Sequence, residues 1–117
     1  LGGKGEKLRF YVLILANELK PFLEYQKKVI EREFPYSLEK AGCEIERLTI
    51  GEKYMELVFL IPVRADIKQA LDKVINECNQ YGNFLSQVFT ITNVKELSAE
   101  EVEEIIKKNG GNSQASH

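Results

Sequence analysis

One run near the start of the chain limits what the rest can build. Leu8 to Ala16, LRFYVLILA, is apolar at almost every position and carries aromatic and β-branched side chains. A strand with one face in water would place a polar residue at every second position. The near-absence of such residues predicts a strand buried on both faces and interior to its sheet. Material must therefore pack both above and below it.

The segments that follow supply that material. Pro21 to Ala41 has the apolar spacing of a helix through Phe22, Leu23, Val29, Ile30, Phe34, Leu38 and Ala41, and Gly42 is a suitable stop. Pro35 lies inside this stretch and lacks an N–H, so a kink or two shorter helices are expected there. Cys43 to Ile50 and Lys53 to Pro62 read as two strands joined in a tight hairpin at Gly51-Glu52. Asp66 and Gln69 open a second helix whose apolar face is Ile67, Ala70, Leu71, Val74, Ile75 and Cys78, ending near Gly82. Ser86 to Val94 reads as a fourth strand. Ser98 and Glu101 form a capping box before a last helix bearing Val102, Ile105 and Ile106. The order is β-α-β-β-α-β-α. Its expected architecture is an α+β, ferredoxin-like fold: a four-stranded antiparallel sheet with two helices on one face and an additional C-terminal helix. That helix cannot bury its apolar stripe alone, so it docks on the open sheet face or on a second subunit. Residues 1–7 are expected to be a flexible leader, 8–109 the domain, and 110–117 a disordered tail.

Composition then removes whole classes of chemistry. The 117 residues include one histidine, His117, at the very end of a polar tail. Catalytic triads, His-based zinc sites and imidazole acid–base work are closed to the folded part. Two cysteines, Cys43 and Cys78, form no CxxC pair and cannot make a four-cysteine zinc site. Their number fits a reducing, cytoplasmic setting better than a disulfide framework. No apolar run approaches the ~20 residues of a membrane span. The net charge of -2 argues against a non-specific nucleic-acid binder, which normally shows a basic excess.

Few residues remain with chemical potential. Glu100, Glu101, Glu103 and Glu104 could be a metal cluster, but carboxylates in a first helical turn are favoured by the helix dipole alone. Lys27, Lys28 and Arg32 are interleaved with Glu24, Glu31 and Glu33, which makes a mixed helical surface. Cys78 falls on an apolar helix face and reads as core. Cys43, at a strand entry, has no histidine to activate it. Tyr11, Tyr25, Tyr36, Tyr54 and Tyr81 are stacking candidates that, without a basic excess, read as half-buried packing. Tyr54 and Glu56 stand out because residues i and i+2 of a strand share a face. A neutral phenol and one carboxylate are a poor ligand set for a divalent ion.

These elements together resemble the single-tyrosine HUH transposases of the insertion-sequence 200/605 type, which cut and rejoin single-stranded DNA at hairpins. Phe10-Tyr11-Val12-Leu13-Ile14-Leu15 leading to Lys20-Pro21-Phe22-Leu23 matches the family's first strand and its basic, proline-containing turn. Cys43 through Thr49 corresponds to its second strand. The signature strand, His-hydrophobic-His and an apolar run, falls on Tyr54-Met55-Glu56-Leu57-Val58-Phe59. Phe84 to Thr92 corresponds to the aromatic-rich strand and Ser98-Ala99-Glu100-Glu101-Val102 to the start of the last helix.

In that family two histidines and a glutamine hold a divalent metal, which polarises the scissile phosphate while a tyrosine of the last helix attacks. The resemblance places Tyr54 and Glu56 at the histidine positions, Ile106 at the nucleophile and Gly110 at the glutamine. A hydrocarbon cannot attack phosphorus, and glycine offers no side-chain ligand. The resemblance thus implies a degenerate transposase with no catalytic residues, no metal and no cofactor. A relocated tyrosine such as Tyr81, working with Glu56, is the remaining catalytic route. The partners implied are single-stranded or hairpin DNA and a second copy of the chain, forming a homodimer through strand Phe84 to Val94 or the last helix. The alternative is a ferredoxin-like regulatory or protein-interaction module without nucleic-acid binding.

Overall fold

A computed structural model of the chain describes residues 5–115, with side chains through residue 110. The first strand, β1 (Lys7–Ala16), occupies the interior of a four-stranded sheet. Val12, Ile14 and Ala16 point to one side and Tyr11, Leu13 and Leu15 to the other, all buried. A single 3-10 turn, Asn17–Leu19, and an irregular segment with extended Lys20 and Leu23 link it to α1 (Glu24–Lys40). Strands β2 (Glu44–Ile50) and β3 (Tyr54–Pro62) form a hairpin, α2 (Ile67–Asn79) follows, and β4 (Leu85–Thr92) leads to α3 (Ala99–Ala115). The sheet order is β2-β3-β1-β4 and every pairing is antiparallel. This is the expected α+β arrangement, with a β-α-β-β-α-β-α order.

The local signals act as chemistry requires. The side chain of Asp66 accepts the Gln69 N–H at 3.1 Å, satisfying one orphan donor at the start of α2. At α3 the box is reciprocal: Ser98 N–H donates to Glu101 at 2.8 Å and Glu101 N–H to Ser98 Oγ at 3.1 Å. Gly42, at φ +87°, takes the left-handed conformation that ends α1.

Two expectations about α1 are corrected. It begins at Glu24 rather than Pro21, because the Phe22 N–H is committed to the Glu52 carbonyl at 2.9 Å. The Gln26 side chain then accepts the Leu23 N–H at 2.9 Å and sets the first turn. Pro35 does not divide the helix, which is one element from Glu24 to Lys40. Buried Ile30 and Phe34 before the proline and Leu38 after it anchor both halves to the same core, and that packing outweighs one missing hydrogen bond.

Two apolar clusters hold the layers. α1 and α2 cover one sheet face, where Ile30, Phe34, Leu38, Leu71, Val74 and Ile75 meet Val12, Ile14, Leu57 and Phe59. α3 covers the other face, where Val102 is buried with Tyr11, Leu13, Leu15 and Val58. The α3 helix continues to Ala115, beyond residue 109, where the domain was expected to end. Residues 1–4 and 116–117, parts of the expected leader and tail, lie outside the described residues. Among those described, no helix is long and apolar enough to cross a membrane.

Candidate functional site

The sheet face under α3 is where the sequence-predicted site residues gather. The β1–β3 register pairs Leu15 with Tyr54, Leu13 with Glu56 and Tyr11 with Val58. The even-numbered β3 side chains therefore stand beside the odd-numbered side chains of β1 on this one face. Tyr54, from the first residue of β3, and Ile106, from α3, both pack against the same apolar cluster, as do Ile105 and Leu97. The Tyr54 ring also leans on the hairpin turn. A Cβ at Gly51 would come within 2.5 Å of the ring, so only glycine allows this approach.

Glu56 and Gly110 have other neighbours. The Tyr11 hydroxyl donates to the Glu56 carboxylate at 2.6 Å. Gly110 faces Leu19, whose Cδ1 would lie 3.6 Å from an added Cβ. Leu19 and its neighbour Glu18 both hold positive φ, 55° and 58°, a conformation non-glycine residues seldom adopt. That turn delivers the Leu19 side chain to the cluster under α3.

Tyr11 is the residue that sequence reasoning undervalued. It is 2% exposed, and burial together with the Glu56 hydrogen bond pushes its phenol well above the ordinary range. It acts as a hydrogen-bond donor and is unsuited to nucleophilic attack, which needs an accessible phenolate. No local sequence signal pairs the two: Tyr11 and Glu56 come to share a face only through the β1–β3 register.

A divalent ion does not fit the residues present. Glu56 is a single carboxylate already engaged by Tyr11, while Ile106 and Gly110 offer no donor. Among the described residues no three His, Cys, Asp or Glu side chains come together. Glu100, Glu103 and Glu104 lie on the exposed side of α3, and Glu101 serves the cap.

Other candidates take plain structural places. Cys43 and Cys78 are both buried free thiols, and burial raises both, Cys78 to about 12. Lys27 pairs with Glu24 and Arg32 with Glu33, a mixed helical surface. Tyr25 and Tyr81 are about half exposed, in keeping with half-buried packing, Tyr36 is 62% exposed, and the Arg32 guanidinium lies 5.1 Å from the centre of the Tyr81 ring. A cleft of about 460 Å3 beside the Lys20-Pro21 turn is lined by Asn17, Gln26, Asn83 and Phe84, and none of the four resemblance positions lines it.

At the far end of the same sheet face lies a charged group. Arg9 of β1 donates through Nε to Glu46 at 2.8 Å and through Nη2 to Glu96 at 3.1 Å. Arg47 of β2 donates through Nη2 to the other oxygen of Glu96 at 2.7 Å. Glu96 belongs to the segment between β4 and α3, so this carboxylate ties the approach to α3 to the sheet.

No family model matches the sequence, and no curated protein does. Solved structures do match in fold. One is a protein of Deinococcus radiodurans described as a candidate transposase, with 13% identity over 88% of this chain and 91% of that one, at a TM-score of 0.71. Another is a REP-associated tyrosine transposase bound to a REP hairpin, with 10% identity over 82% of this chain, at a TM-score of 0.63. The match spans 60% of that second protein. At these identities the likeness is one of chain path: this fold is transposase-like.

Proposed function

We propose that this chain is a catalytically inactive relative of the tyrosine transposases that binds single-stranded or hairpin nucleic acid as a homodimer. The observation that carries the reading is that Tyr54 and Ile106 both pack against the one apolar cluster under α3. The resemblance assigns Ile106 to the nucleophile position and Tyr54 to a metal-ligand position, and neither a hydrocarbon nor a neutral phenol supplies that chemistry. Glu56, at the other histidine position of the resemblance, is held by Tyr11. Dimerisation is supported by β4, an edge strand with Val88 77% exposed and Val94 just beyond it 86% exposed.

The test uses a labelled single-stranded hairpin oligonucleotide. Binding is expected at about 50 mM salt and should weaken steeply by about 200 mM, as counterion release demands. No nicking is expected with magnesium or manganese. Nicking that disappears in Glu56→Ala would instead establish an active nuclease.

One observation favours the interaction-module alternative. The outer side of α3 presents Glu100, Glu103 and Glu104 to solvent, which repels a phosphate backbone. No hairpin binding at low salt, with dimerisation intact, would decide for that alternative.

A further inference from the structure

The group at Arg9, Arg47 and Glu96 has the form of an occupied binding site. Two guanidiniums converge on one carboxylate, each taking a different oxygen, at 3.1 and 2.7 Å. They come from strands that are not neighbours, β1 and β2, with β3 between them. The convergence is therefore a product of sheet geometry rather than of local sequence. The carboxylate arrives from a connecting segment and not from the sheet, so the occupant can leave without disturbing the strands. A phosphate offers a similar two-oxygen edge with more charge, and guanidinium forks suit that edge.

We propose that Arg9 and Arg47 form a phosphate-binding site on the α3 face of the sheet, which Glu96 occupies from within until an external phosphate displaces it. The side chains are accessible: Arg9 is 51% exposed, Arg47 46% and Glu96 34%. Ion pairs at that exposure are weak and exchange readily with solvent and salt. An occupant held so loosely acts as a competitor to be displaced rather than as a permanent plug. Glu46 remains on Arg9 Nε and orients it, leaving Nη2 directed at the shared point. Glu56 acts on Arg47 through space, and together with Glu46 it limits affinity for the anion. The site thus favours a ligand that makes directional hydrogen bonds over a diffuse anion such as chloride.

Inorganic phosphates and the phosphodiester backbone of nucleic acid share this chemistry. The second source rests on the function proposed above, and the first does not. Glu96→Gln preserves shape while removing the competing charge. Titration of this variant with inorganic pyrophosphate should move the arginine side-chain NMR signals of Arg9 and Arg47. Binding should be about tenfold tighter than to wild type. Adding Arg47→Gln in the same background should abolish that gain, and this exposed substitution leaves the core untouched. Equal pyrophosphate binding by wild type and Glu96→Gln, or a gain that survives Arg47→Gln, would overturn the site.

The same proteins are then titrated with the labelled hairpin oligonucleotide. A parallel gain in Glu96→Gln identifies the source as nucleic-acid backbone. A pyrophosphate gain with no oligonucleotide binding by any variant leaves the phosphate site standing and removes the hairpin-binding function. Circular dichroism and thermal unfolding of each variant confirm that the fold is kept.

Discussion

At Glu56 a half-buried carboxylate accepts the hydroxyl of Tyr11, itself buried beneath α3. The bond defines what both residues do: the phenol stays protonated and the carboxylate stays satisfied. Tyr11→Phe leaves the carboxylate one donor short, at a cost of about 1–3 kcal/mol near neutral pH. The pH dependence has a definite sign. Folding raises the Tyr11 pKa above its ordinary value of 10.0, so the native state keeps a proton that the unfolded chain releases in alkali. The wild-type advantage over Tyr11→Phe is complete below that ordinary value and shrinks as pH rises above it. Urea unfolding of both proteins at several pH values between about 8 and 11 measures the difference. A difference that stays constant to the top of that range would show that the phenol ionises freely in the folded state. That Tyr54 and Glu56 share a face was legible, because their i, i+2 spacing is a local property. Their partners were not, because Tyr11 lies 45 residues from Glu56 in sequence.

Helix boundaries show a similar division at the level of elements. The caps at Asp66–Gln69 and Ser98–Glu101 were readable because donor and acceptor are three residues apart. Continuity of α1 through Pro35 was not, because the anchoring residues Phe34 and Leu38 act only through their contacts with the sheet. Pro35 still withholds a backbone donor from the Glu31 carbonyl. Pro35→Ala should restore it and raise stability by about 1–2 kcal/mol, less than the full helix penalty because the half-buried ring also packs and proline restricts the unfolded chain. A higher urea midpoint with unchanged slope is the expected result, and a lower midpoint would show that the ring's packing dominates. The α3 helix illustrates the opposite balance. Its stripe of Val102, Ile105 and Ile106 announced that it must dock, but two destinations were open. Leu97 before the helix and Leu19 opposite Gly110 belong to the packing that brings it onto its own sheet.

Over the whole molecule, two helical layers cover the two faces of β1 and, among the described residues, leave the β4 edge unpaired. An unpaired strand edge with an exposed valine is a pairing surface unless a charge guards it. Val88→Lys should therefore shift a wild-type dimer toward monomer in sedimentation velocity, with no change in circular dichroism. A wild-type protein that sediments as a monomer at high micromolar concentration would remove the homodimer. The sequence by itself determined the order of elements, the interior place of β1, the helix caps and the exclusion of histidine chemistry from the described fold. Each follows from periodicity, from contacts within one helical turn, or from composition. Only the tertiary structure decided that Tyr11 meets Glu56, that Ile106 and Tyr54 pack against one cluster, and that Glu96 bridges two arginines. Those contacts depend on strand register, where a slip of one residue exchanges the two faces, and on the docking of α3. Register and docking are set by the summed packing of two apolar clusters, and no short stretch of chain carries that sum.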